Sequence, residues 1–219
     1  MSKILLAFCL ALVTFNIVGQ TCIHSDLSKS LLFKTEVKRV ERTGQARASR
    51  AGYSDSCIIK ITVVNKTTKK LLFSTTYSSN FLYQPDFSKC NTSKSYTTGT
   101  RQNADVLDWD YGDFLVADFN FDGREDFAAK SENTNGGVAY NYYVQNITGS
   151  FKLDKFLTER MRDFPTRIDK PAKTLIWETN NGRWYFRTIY RLNTKTARWR
   201  KVRYKPVLIN TNPIGDEMD

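Results

Sequence analysis

Thr174-Leu175-Ile176-Trp177-Glu178, then Asn180-Asn181-Gly182, then Arg183 to Arg191 is the stretch that decides the fold class. Two β-prone runs flank an Asn-Gly pair, and Asn-Gly supplies the positive φ angles that a tight hairpin turn needs. The same grammar repeats outward from it. Ile58 to Val64 is β-branched, Asn65-Lys66-Thr67-Thr68 turns the chain, and Leu71 to Thr75 answers. Val138, Tyr140, Tyr142 and Val144 alternate with Ala139, Asn141, Tyr143 and Gln145, the period of a strand. Thr148-Gly149 leads into Phe151 to Leu157, and Asn193 to Thr196 leads into Arg198 to Tyr204. A sustained helical period is absent from the chain beyond its leader, and only Lys155 to Arg162 suits a short helix. The expectation is an all-β protein of antiparallel hairpins with little helix. Whether the hairpins form a meander, a propeller-like fan or a sandwich stays open at this level.

Composition narrows the class further. Of 219 residues, 41% are hydrophobic and 25% charged, which argues against wholesale disorder, and 11 Tyr with 14 Phe suit half-buried sheets. Lys3 followed by the apolar run Ile4 to Val18, with Gly19-Gln20 before polar Thr21, reads as an export leader. The expected organisation is a signal peptide at 1–20, a basic and weakly structured segment at 21–56, a β domain at 57–208 and a tail at 209–219. Leu31-Leu32-Phe33 and Val37 to Val40 offer one early strand in the second of these. No later run is apolar for long enough to span a membrane as a helix. The expectation is therefore a periplasmic or secreted protein, not an integral membrane one. Removing Lys3 lowers the formal charge only from +11 to +10, so anionic surfaces will attract the chain.

Cys22, Cys57 and Cys90 remain after the leader, which in an oxidising compartment implies one disulfide and one leftover thiol. Strand-edge placement favours Cys57 with Cys90. His24, the only histidine, falls close to the expected mature terminus, where order is usually poor.

Chemistry concentrates in Asp118-Phe119-Asn120-Phe121-Asp122-Gly123-Arg124-Glu125-Asp126. Oxygen side chains occupy positions one, three, five and nine, Gly occupies six, and Arg124 at seven can offer its carbonyl. Ca²⁺ takes six to eight hard oxygens, and this spacing folds several onto one centre. Asp118, Asn120, Asp122, Arg124 and Asp126 are the expected ligands. Phe119 and Phe121 are free to enter the core. Position twelve is Ala129 rather than a bidentate Glu, and the flanks read as strands, so this is no EF-hand. From Asp105 to Asp126 there are eight acids and one base, a local excess that a dication would offset. Asp113 or Asp110 could add a ligand.

Phe114 to Gly123, then Gly136-Gly137, Tyr140-Asn141-Tyr142-Tyr143 and Phe151 to Leu157, resemble a family of exported bacterial calcium-loop proteins of FG-GAP/VCBS-like character. The likeness covers roughly residues 57–205. It implies a propeller-like all-β fold and Ca²⁺ ligation by the residues named above. The family includes a periplasmic inhibitor of a lysozyme-like enzyme associated with type IV secretion, so the resemblance also points to inhibition of a cell-wall lytic enzyme. The segment before Cys57 departs from the family pattern.

Three function classes follow. The leading one is a non-enzymatic, calcium-stabilised binding protein of the cell envelope or exterior, with a protein or glycan partner and no specific nucleic acid. A second is a carbohydrate or cell-wall hydrolase drawing a carboxylate pair from Asp105, Asp108, Asp110 and Glu132. A third uses the stretch Arg183 to Lys205, with nine basic residues and no acid, to hold an anionic polymer or surface. There Arg183, Arg187 and Arg191 alternate with core-compatible aromatics, and Arg198 and Arg200 follow on the next strand.

Overall fold

The computed structural model describes residues 19–40, 56–79, 90–102, 106, 112–134 and 137–208. Residues 1–18, 41–55 and 209–219 and Asp105, Asp108 and Asp110 lie outside the described residues, while Gly19 and Gln20, the last two residues of the expected leader, already belong to a strand. The described chain is all-β, in three sheets that follow one another in sequence.

The first sheet is the meander β1 (Gly19–His24), β2 (Leu31–Val40), β3 (Ser56–Asn65) and β4 (Leu71–Ser79). On β3, Cys57, Ile59, Ile61 and Val63 are buried while their neighbours face outward. Their partners on β2 include Phe33 opposite Val63 and Val37 opposite Ile59. One apolar face is thus built from two alternating strands. This corrects the expected boundary at residue 57: β1 and β2 are integral to the sheet that β3 and β4 continue.

The second sheet runs β5 (Ser93–Ser95), β6 (Phe114–Ala117), β7 (Asp126–Thr134), β8 (Gly137–Gln145) and β9 (Phe151–Leu153). All its pairs are antiparallel except β5 with β6. The third comprises β10 (Arg167–Asp169), β11 (Thr174–Asn180), β12 (Trp184–Asn193) and β13 (Arg198–Arg203), with β14 (Val207–Leu208) also on β12. A single wide helical turn, Leu157–Met161, links the second sheet to the third.

Two cores show how the sheets stack. Phe114, Val116, Phe127, Ala129, Tyr143 and Phe151 pack against the first sheet's Phe33, Ile59, Ile61 and Val63. Leu115, Ala117, Ala128, Tyr140 and Tyr142 point the other way, to Leu157, Phe164, Leu175 and Tyr190. The second sheet is therefore a central layer buried on both faces. That explains why β6 reads Phe-Leu-Val-Ala without a polar residue, as strands covered on both sides do.

The disulfide joins Cys22 to Cys90, not Cys57 to Cys90 as expected, and Cys57 keeps a buried thiol on β3. The bridge ties β1 to the turn that begins β5. Gly112 reinforces the same junction: its φ is +84°, and an added Cβ would fall 1.9 Å from the Thr92 carbonyl oxygen. His24 is likewise not in a loose terminus. It is buried on β1 opposite Phe33 and stacks on Phe114, ring centroids 5.6 Å apart. Burial pushes the His24 imidazole below its ordinary pKa, partly countered by Asp26.

Candidate metal centre

The loop 118–126 joins β6 to β7 at one rim of the central layer. Its conformation is set by side-chain oxygens accepting from its own backbone. Asp118 accepts from the Asp122 N–H through Oδ1 at 3.0 Å and from the Gly123 N–H through Oδ2 at 2.9 Å. Asn120 Oδ1 also accepts from the Asp122 N–H, at 3.2 Å, and its Nδ2 donates to Asp122 Oδ2 at 2.8 Å. Asp122 Oδ1 accepts from the Arg124 N–H at 2.9 Å, and its Oδ2 meets the Arg124 guanidinium. Two residues adopt left-handed backbone to close the bend, Phe121 at φ 57° and Gly123 at φ 83°. The glycine does so freely. For a bulky residue such as Phe121 this region is strained, at about 1–2 kcal/mol.

Asp126 is the expected ligand at position nine. It is fully buried, and its carboxylate accepts from three amides: Phe119 at 2.9 Å, Asn120 at 3.3 Å and Gln145 at 2.8 Å. It staples both arms of the loop to β8. Arg124 works from the other side, donating Nε–H to the Gln145 carbonyl at 3.2 Å. Phe119 is completely buried edge-on to Tyr142, as the sequence implied, and Phe121 lies half-buried against Trp199, centroids 6.4 Å apart.

Electrostatically the bend is costly. Burial, only partly offset by amide hydrogen bonds, holds the Asp126 carboxyl well above the usual carboxylate range, and the charges of Asp118 and Asp122 add to this. Asp118 is raised for the same first reason, burial, with Asp122 contributing. These three carboxylates feel one another, and Arg124 is the one base in the loop. The donors are all hard oxygens, the chemistry that suits Ca²⁺ rather than a soft metal. Among the described residues, however, no three His, Cys, Asp or Glu side chains converge as a metal-holding group. A full shell would draw on the neutral Asn120 and Arg124 carbonyl oxygens and on water.

Asp113 does not face the loop as an extra ligand. Its Oδ2 accepts from Thr92 Oγ1 at 2.6 Å and its Oδ1 pairs with Lys130 at 3.3 Å, at the β5–β6 junction. Glu125, which spacing alone passed over, is an anchor: it accepts from Ser28 and, at 2.9 Å, from Thr97 Oγ1. Its even position in the loop pattern gave no signal, because its partners come from distant turns.

Of the hydrolase carboxylates, Glu132 is ion-paired with Arg162 at 2.9 Å, and the other three lie outside the described residues. The basic stretch divides. Thr188, Tyr190 and Leu192 are buried while Arg191 and Asn193 are exposed, so alternation is clean in the second half of β12 only. Arg183 lies 6.0 Å from the Trp184 ring centroid. Arg187 pairs with Glu178 of β11 at 3.1 Å, an acid that single-strand reading cannot see. Arg191 stands directly across from Arg200, and Arg198 from Asn193, all three arginines being exposed. Among the described residues no helix is long and apolar enough to cross a membrane. No protein-family model, curated protein or solved structure matches the chain.

Proposed function

We propose that this is an exported, calcium-stabilised binding protein of the cell envelope or exterior, without enzymatic activity of its own. The observation that carries the reading is the bend 118–126. It holds three mutually repelling carboxylates, two of them raised by burial, on a loop rooted in the core by Phe119. A dication bound through Asp118, Asn120, Asp122, the Arg124 carbonyl and Asp126 would relieve that repulsion and fix the strained backbone at Phe121. The ion's role is structural. It stiffens one rim of the central layer, while binding is left to the surfaces of the outer sheets. Inhibition of a lysozyme-like enzyme is the specific activity that the family resemblance points to, and a cell-wall turbidity assay with and without the protein measures it directly.

Thermal unfolding in calcium against chelator tests the core of the reading. At a calcium concentration about a hundredfold above Kd, ligand linkage amounts to about 2.7 kcal/mol. For a chain of this size that is a rise of about 5–10 °C. Asp122→Ala should abolish the rise while leaving the chelated melting temperature close to wild type. An unchanged melting temperature, with no heat of binding at millimolar calcium, would refute the proposal.

A further inference from the structure

A groove of about 510 Å³ lies between the turn that ends in Arg162-Asp163 and the third sheet. Its size falls within the range of small-ligand sites. We propose that this groove binds an acidic oligosaccharide. The inference goes beyond the calcium reading, because no residue lining the groove belongs to the loop 118–126.

Four cations line it: Arg160, Arg162, Arg187 and Lys201. Two are already seated on rings. Lys201 Nζ lies 5.2 Å from the Tyr190 centroid, and the Arg187 guanidinium 5.7 Å from that of Tyr204. Side chains held in this way lose little further freedom when they meet a ligand. The local carboxylates are Asp163 within the groove and, at its rim, Glu132 on Arg162 and Glu178 on Arg187. Four cations against three acids leave a positive excess, and the stretch 183–205 around it carries nine bases and no acid.

Ring geometry selects the occupant. Stacked nucleobases need open aromatic faces. Here Tyr190 is buried beneath Lys201, and Tyr204, although half exposed, has Arg187 over its ring. A sugar carrying carboxylate or sulfate asks for something else. Its anionic groups accept from guanidinium forks and an ammonium, and its C–H faces rest on half-buried rings such as Trp177 and Phe186. The groove supplies both.

The test is calorimetric titration of the whole protein at low salt with three probes: a heparin tetrasaccharide, a neutral chitin tetrasaccharide, and an eight-residue oligothymidylate. The heparin tetrasaccharide should bind and the neutral sugar should not. Lys201→Gln and Arg160→Gln should each weaken binding about tenfold, the effect of losing one charged hydrogen bond, and Lys201→Arg should restore it. Arg191→Gln and Arg200→Gln, on the exposed outer positions, should change it less than about twofold. Both groove residues are exposed, and circular dichroism verifies that their variants fold. Equal losses from the outer-position variants would overturn the groove in favour of diffuse charge attraction. Oligothymidylate binding as tight as the tetrasaccharide's would overturn the choice of ligand, and absence of tetrasaccharide binding would overturn the proposal outright.

Discussion

The central and third sheets are built from similar numbers of strands, yet their sequences obey different rules. On β6 every side chain is buried, because each face meets a core. On β12 only Thr188, Tyr190 and Leu192 are buried; Trp184 to Arg187 and Ile189 are half-exposed, and Arg191 and Asn193 are exposed. The difference is one of position in the stack. A middle layer must be apolar twice over, whereas an outer layer keeps one face for solvent and ligands. Stability should therefore be concentrated in the centre and binding chemistry at the outside.

The sharpest way to break this contrast is to truncate a ring in each sheet. Phe127→Ala, fully buried against Phe33, Tyr143 and Phe151, should cost about 4 kcal/mol in urea unfolding. Phe186→Ala, half-buried on β12, should cost less than half as much. Comparable losses would mean that the third sheet contributes as much to the fold as the second.

A somewhat smaller effect is expected at the edge of the central layer. Reducing Cys22–Cys90, which closes a separation of 68 residues, should cost about 3 kcal/mol by denaturant titration. Hydrogen exchange should then accelerate first at β1 and β5, with the amides of β11 and β12 unaffected. Gly112→Ala strikes the same junction, since its new methyl would collide with the Thr92 carbonyl. About 2 kcal/mol is expected from thermal melts, with β5 losing its place beside β6.

The smallest effect is a pH dependence where His24 of the first sheet stacks on Phe114 of the second. His24 has a folded pKa below its ordinary 6.5, so the unfolded chain takes up the proton first. Its contribution to stability is intact above about pH 6.5 and is lost as pH falls through that value toward the folded pKa. His24→Gln should flatten that limb of the stability profile, and an unchanged slope would show that other groups set it.

How much of this was legible beforehand follows from the range of each signal. The Asn180-Asn181-Gly182 hairpin, the alternation of β8 and the run of β6 are local patterns, and each forms the strand it implied. Ser93-Lys94-Ser95 has no apolar residue to betray a strand. It pairs parallel to β6 because a disulfide and backbone hydrogen bonds from distant segments place it there. Cysteine partners depend on which sheets stack, so Cys22 could not be preferred to Cys57 from spacing alone. In the loop 118–126 the ligand types and the glycine bend were visible. The enclosure of Asp126 by amides from the opposite loop arm and from β8 was not, because Gln145 lies 19 residues downstream.

Phe121 carries a final consequence. Its ring rests on Trp199 of the third sheet, which in turn stacks face to face on Phe156 at 5.9 Å. Any shift of the bend that swings Phe121 must change the surroundings of that indole, so the chain contains its own optical gauge. Emission from Trp199, isolated by replacing the other tryptophans with Phe, would follow the ordering of the bend in real time without an added dye.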